Sequence, residues 1–304
     1  MFAASAAEEK PLGAKLGEAF DKAARGGIAG GGAMAINVAA LMWMRTTVNY
    51  QYRHGGSMTH AFKVLYNDGG RGLGGIARFY RGVVPALFQG PLARFGDTFS
   101  NVGTLAILDS FGSTASLPTS VKTMAASVAA ASFRILLMPI DACKTIMQVE
   151  GKNGMSVLLQ KIKTSGPTVL WSGALGASGA TLVGHYPWFA TYNELDARLP
   201  KYDRKTELPM YLARSAVIGF GATCVSDTCS NAIRVLKTTK QTSAVAISYK
   251  QALDMVIAKD GVSGLFFRGL STKILSNGVQ GMLFSVLWRL GQDWMAARAA
   301  KKDN

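Results

Sequence analysis

The chain has 304 residues, of which 49% are hydrophobic and 17% charged, with 34 glycines and a formal net charge of +15. Its mean hydropathy of +0.18 is too high for most soluble enzymes and too low for featureless lipid-facing helices, so it suits membrane helices around a wet space. The basic residues are spread over short segments between apolar stretches rather than gathered beside stacking aromatics, which argues against nucleic acid and for retention near anionic lipid headgroups.

In chain order, residues 1–19 carry acids and lack the continuous apolar core of a secretory signal, so they read as a short retained tail. Apolar stretches of membrane-spanning length follow at 20–50, 83–110, 119–149, 174–199, 209–241 and 270–298, predicting six transmembrane helices with both ends on one side. The fold class expected is an all-α membrane protein. After each odd-numbered stretch comes a short amphipathic segment, at 57–70, 154–166 and 249–261. Each is followed by a glycine-punctuated aromatic triplet: Tyr80-Arg81-Gly82, Trp171-Ser172-Gly173 and Phe267-Arg268-Gly269. The unit is helix, surface helix, helix, repeated three times, which gives repeat 1 at 20–110, repeat 2 at 111–200, repeat 3 at 201–298 and a tail at 299–304. The stretch GLGG at 72–75 has no strand before it and is expected to be a turn rather than a phosphate loop.

Charged residues interrupt the apolar stretches at Arg94, Asp97, Arg134, His185, Asp227 and Arg289. An ionisable group at membrane depth costs several kcal/mol unless it faces protein or water, so these side chains either line a cavity or form buried structural salt bridges. The three cysteines, Cys143, Cys224 and Cys229, fit neither a disulfide framework nor a zinc site. With three histidines and no Walker, HExxH or GxSxG pattern, the chain offers no catalytic centre, no metal site and no cofactor-binding motif.

Residues 139–148 read PIDACKTIMQ, a PxDxxKxxxQ pattern in which Asp141 and Lys144 share one helical face after a helix-breaking proline. Aligning Pro139 with Ala40 and with Ala232 brings Lys144 over Arg45 and Lys237, and Gln148 over Asn49 and Gln241. The same register stacks small-residue pairs: Gly27 and Gly31, Ala126 and Ala130, Gly219 and Thr223. Small residues four apart let helix backbones approach closely in lipid.

With this motif, the three aromatic triplets and the Asp260-Gly261 step, the chain resembles the mitochondrial carrier family over about residues 20–298. The resemblance implies a threefold pseudosymmetric bundle of six tilted helices around one central site. It implies exchange of small metabolites across the inner mitochondrial membrane by alternating access. Membrane lipids, cardiolipin among them, are the expected lipid partners. In such a protein Pro139 bends the odd helix inward, and the acid and base beyond it close a ring of breakable ion pairs on the matrix side.

At that matrix gate the chain departs from the family pattern. Repeat 1 offers Ala40, Met42 and Arg45, and repeat 3 offers Ala232, Arg234 and Lys237, so two prolines and two acids are missing. The resemblance predicts one surviving pair, Asp141 with Lys237. It sets Lys144 against Met42 and Arg234 against Arg45, braced by Asn49, Gln148 and Gln241. The opposite gate is largely lost, and what remains is Tyr192, Asp196 and Arg289, the last two with inverted polarity.

Carried over from the family, the substrate-reading positions are Gln89-Gly90, Ala180-Thr181 and Ser276-Asn277. None is charged, which argues against nucleotides and di-acids. Arg94, Arg134, His185 and Asp227 lie near this level and suit a zwitterion or weak anion, with Arg134 and Asp227 able to pair and Asp97 able to pair with Arg94. Two function classes fit: an active solute carrier, and a carrier-fold subunit that no longer transports and serves a larger membrane complex.

Overall fold

The computed structural model describes residues 36–283, except 111 and 204–205, together with the isolated positions 13 and 17. It is built of helices, with no strand among the described residues. The first helix, α1 (36–54), is followed by α2 (Met58–Asp68) and α3 (Gly72–Phe79), and then by the long α4 (Val83–Ser110). A four-residue turn, α5 (Gly112–Ala115), leads to α6 (Thr119–Leu136) and α7 (Met138–Glu150). After α8 (Gly154–Ser165) come α9 (Ala174–Arg198), α10 (Leu208–Thr242), α11 (Tyr249–Phe267) and α12 (270–283). A connecting helical segment thus stands between α1 and α4, between α7 and α9, and between α10 and α12. The expected stretches 20–35 and 284–298 lie outside the described residues.

Local chemistry sets the boundaries. Ser57 caps α2 by accepting the His60 amide at 3.2 Å. Ser248 and Gln251 form a reciprocal capping box on α11. Gly261, at φ +67°, kinks α11 immediately after Asp260, a conformation that suits a residue without Cβ. The segment at 72–75 is helical, opening α3, where a turn was expected. The cause is close packing: a Cβ on Gly69 would lie 2.3 Å from the Gly74 carbonyl oxygen, so the glycines let α3 fold back onto α2.

Proline decides which odd helix bends. Pro139 stands at the start of α7, Leu137 breaks the ladder, and the pair Val121–Leu136 and Met138–Ser165 is bent by 64°. In α10, where Ala232 replaces proline, the helix runs unbroken for 35 residues. By length and hydropathy α10 can cross a membrane, and the bent pair is a second candidate span. Among the described residues the other helices do not meet that test. They nonetheless expose large apolar side chains, among them Val84 and Phe88 on α4, Met124 on α6, Leu175 and Tyr186 on α9 and Val217 on α10. So much exposed apolar surface on each long helix is costly in water and suits lipid contact.

The buried core lies where α1 meets its neighbours. Val48 and Tyr52 pack with Val235 of α10 and Val256 of α11, while Val38 and Met42 pack with Ala86 of α4. Around this end, three cations clamp the C-terminal carbonyls of α1, α7 and α10. Arg78, from the α2–α3 segment, donates to Gln148 O at 2.8 Å and Val149 O at 2.7 Å on α7. Lys161 of α8 donates to Lys240 O, Gln241 O and Ser243 O at 3.3, 3.2 and 3.0 Å at the end of α10. Arg268, after α11, donates to Arg53 O of α1 at 3.3 Å. Each surface segment thus holds the end of the next bundle helix, and the third returns to the first. Cations at helix C-termini satisfy orphan carbonyls and oppose the dipole.

Lys161 is buried on the surface helix α8, in the amphipathic segment 154–166 beyond the apolar stretch 119–149. Three carbonyls favour its charged form, but burial first, and then the Arg53 and Lys240 charges, prevail and push its pKa down to about 8. Between about pH 8 and the unfolded value of 10.5 the unfolded chain binds the extra proton, so stability due to this group rises with pH across that window. Thermal midpoints of the purified chain and of Lys161→Met should diverge in favour of the native lysine from pH 8 to 10; parallel profiles would contradict this.

Candidate functional site

Asp141 sits in the first turn of α7, placed there by the break at Leu137 and Pro139, where a carboxylate also complements the helix dipole. It is 7% exposed and acts as a hub. Its Oδ1 accepts Lys144 Nζ at 2.7 Å from its own helix, and its Oδ2 accepts Lys237 Nζ at 2.5 Å from α10. Gln241 Nε2 of α10 reaches the same Oδ2 at 3.3 Å. The predicted contact of Asp141 with Lys237 is present, with Lys144 added to it. One carboxylate between two ammonium groups is worth far more than a surface pair, because truncating it would leave two cations in a largely dry layer.

The amides complete this layer. Asn49 Nδ2 of α1 donates to Gln148 Oε1 of α7 at 2.6 Å, and Gln148 Nε2 points to the Met42 sulfur at 3.5 Å. The side chains of α1, α7 and α10 are therefore tied together at one end of the bundle. Thr239 Oγ1 donates to Tyr52 O at 3.3 Å and closes the third side.

Two expected contacts are corrected. Lys144 does not face Met42; beyond Asp141 it donates to Gln89 Oε1 of α4 at 3.1 Å. Arg234 does not face Arg45; Arg234 Nη2 lies 3.5 Å from Asp227 on its own helix and its Nε donates to Ser230 Oγ at 3.2 Å. Arg45 donates to Gln280 Oε1 of α12 at 3.0 Å. The physical reason is the missing acids: Arg45 and Lys144 reach amides on even helices, whereas Arg234 takes a carboxylate and a hydroxyl on its own helix. Gln280 escaped the sequence reading, although it lies three residues beyond Asn277 on the same helical face.

The residues expected to read substrate divide into two clusters. Arg134 of α6 forks onto Asp97 of α4, Nη2 to Oδ2 at 2.8 Å and Nε to Oδ1 at 3.3 Å, and both side chains remain about a third exposed. His185 Nδ1 of α9 shares a 2.7 Å hydrogen bond with Ser127 Oγ of α6. In the second cluster Asp227 is 4% exposed and accepts from Asn277 of α12, which in turn accepts Lys273 Nζ at 3.3 Å. Arg134 and Asp227 therefore do not pair, and Asp97 pairs across helices with Arg134. The Arg94 side chain lies outside the described residues. Ala180, Thr181 and Ser276 are buried, and Thr181 Oγ1 is satisfied by Ala177 O at 3.0 Å.

At the far end Asp196 of α9 pairs with Arg214 of α10 at 2.8 Å, and Arg214 also donates to Asp196 O. Tyr192 stacks on Trp188 with ring centroids 5.0 Å apart. Arg289 lies outside the described residues. Arg214 was overlooked because it stands at the start of α10, where a basic residue reads as a headgroup contact.

Residues 115–203 match the family model described as mitochondrial carrier protein. The match supports membership of the mitochondrial carrier family. It runs from before α6 to beyond α9 and contains Asp141, Lys144, Gln148, His185 and Asp196. Mitochondrial carriers are transporters of the membrane rather than enzymes. No curated protein matches the chain.

Proposed function

We propose that this carrier moves a small metabolite across the mitochondrial inner membrane by alternating access, with six membrane-crossing helices in the three repeats at 20–110, 111–200 and 201–298. The observation that carries the proposal is the Asp141 hub inside the family-matched segment, which joins α7 to α10 through Lys237. It serves as the matrix gate, with Arg45, Asn49, Lys144, Gln148, Arg234 and Gln241 around it. The partly exposed Arg134 and Asp97 form an ion pair between α6 and α4, and His185 of α9 is held to α6 through Ser127. A zwitterion can replace each partner of that pair with its own opposite charge, and a weak anion can engage Arg134 alone.

Gln89 links the two levels, because it occupies a substrate-reading position and accepts from the gate lysine Lys144. A solute that takes Gln89 withdraws one partner from Lys144 and loosens the closed end. Uptake of radiolabelled amino acids and monocarboxylates into liposomes holding the purified chain tests the proposal. Saturable uptake supports it; a fully reconstituted chain that moves nothing from such a panel would sink it. In the same assay Lys237→Ala should change the exchange rate severalfold, since about 1 kcal/mol in the balance of gate states is about a fivefold change in population. An unchanged rate would remove Lys237 from the gate.

A further inference from the structure

We propose that the cavity between the ends of α1 and α10 and the surface helix α11 binds a phosphoryl-type oxyanion, apart from the central transport path. The cavity measures about 190 Å³ and is lined by Arg53, His54, Thr239, Met255, Lys259 and Arg268. That is far more than the ~10–15 Å³ needed for one water, yet it suits a phosphate group better than a nucleotide.

Its wall holds donors that the fold leaves unused. Arg268 is 5% exposed. Its Nε is taken by Asp260 at 2.7 Å and its Nη1 by Arg53 O at 3.3 Å, but the buried Nη2 has no partner. The buried Arg53 Nε also has none. Buried guanidinium N–H groups left unpaired are costly, and two such groups beside the cavity bring an uncompensated positive field to its wall, which favours an anion. Lys259 is exposed on α11 and brings a third cation to the cavity.

The charge around the cavity fits the same ligand. Arg53, Lys259 and Arg268 stand against Asp260, whose carboxylate is already committed to Arg268, and Glu150, which acts on Arg53 from beyond the wall. His54, in the last turn of α1 and outside the candidate spans, has its pKa pushed down to about 4. Burial is the chief cause, followed by Arg53, Lys259, Arg268 and Arg78. Its ring is neutral at physiological pH and offers one further N–H donor. Thr239 contributes shape only, because its hydroxyl already donates to Tyr52 O.

The test uses the purified full chain, with thermal midpoints in sodium phosphate and in sodium chloride at matched ionic strength. Phosphate at about 10 mM should raise the midpoint by about 3 °C and chloride should not, since a ligand of the folded state stabilises by mass action. Lys259→Gln, at an exposed position, should fold normally and lose most of the rise, and Arg53→Gln should lose it as well. Equal rises in phosphate and chloride, or a rise that survives Lys259→Gln, would overturn the proposal. Nanodiscs distinguish the source of the anion. If phosphate acts equally in discs of phosphatidylcholine and in discs that also hold phosphatidylglycerol, the site draws on dissolved phosphate. If phosphatidylglycerol raises the midpoint by itself and abolishes the phosphate response, a lipid headgroup fills the site. No response to either anion source refutes the site and leaves the uptake result unaffected.

Discussion

Asp141→Asn is expected to be the most damaging single substitution in the polar layer, lowering stability by about 3–5 kcal/mol, the range for breaking a buried ion pair by removing one partner. The carboxylate is 7% exposed and is the described acceptor of three donors from two helices: Lys144, Lys237 and Gln241. Asparagine keeps the shape and one carbonyl oxygen, so the loss isolates the charge. The two lysine ammonium groups would then stand near each other with one neutral oxygen between them. A large fall in the thermal midpoint of the purified protein checks this, together with altered uptake in liposomes. If Asp141→Asn behaves like the native chain in both, the hub is neither a stability centre nor a gate. The single lysine changes should be milder, because in each the carboxylate keeps the other lysine.

Arg78→Ala should rank second, at about 3 kcal/mol. Arg78 is 4% exposed and supplies two charged hydrogen bonds to the last carbonyls of α7, each of a kind worth about 1.5–3 kcal/mol, though not additively. Its third contact, with Asp68 at 2.5 Å, is half open to solvent on the acid side, so Asp68→Asn should cost only about 0–1 kcal/mol. Arg78→Lys should fall between the two, since an ammonium cannot span two carbonyls with the fixed fork of a guanidinium. Thermal midpoints of the three variants check the order. Equal losses for Asp68→Asn and Arg78→Ala would mean that the ion pair, not the clamp on α7, carries the effect.

The order of elements was largely legible in the chain. Three apolar-to-amphipathic alternations, with triplets ending at Gly82, Gly173 and Gly269, mark boundaries that recur in the described helices. Pro139 announced the bend between α6 and α7, because proline acts on its own backbone wherever it stands. Register put Lys144 and Lys237 at equivalent positions, and the family resemblance implied the pairing of Asp141 with Lys237 that the fold contains.

Contacts between odd and even helices were not legible. Lys144 to Gln89, Arg45 to Gln280 and Arg134 to Asp97 each depend on the rotation of one helix against another, which hydrophobic pattern leaves undetermined when polar residues appear on more than one face. Arg45 and Arg234 illustrate the difference. In the sequence they share a ring position without acids, whereas in the fold each long side chain turns to an acceptor on or beside its own helix. The unused N–H groups of Arg53 and Arg268 were hidden for the same reason, since an unpaired donor is defined by what fails to reach it.

By itself, then, the sequence determined the periodic plan: where helices start and stop, and where Pro139 breaks one of them. Those features arise from backbone chemistry and short-range spacing, which each residue carries with it. Only the tertiary structure decided how the leftover cations are satisfied, how Arg78, Lys161 and Arg268 link the helix ends in a ring, and where a basic cavity remains. Such outcomes are settled by distances of about 3 Å between side chains far apart in the chain, where a small rotation exchanges one hydrogen-bond partner for another.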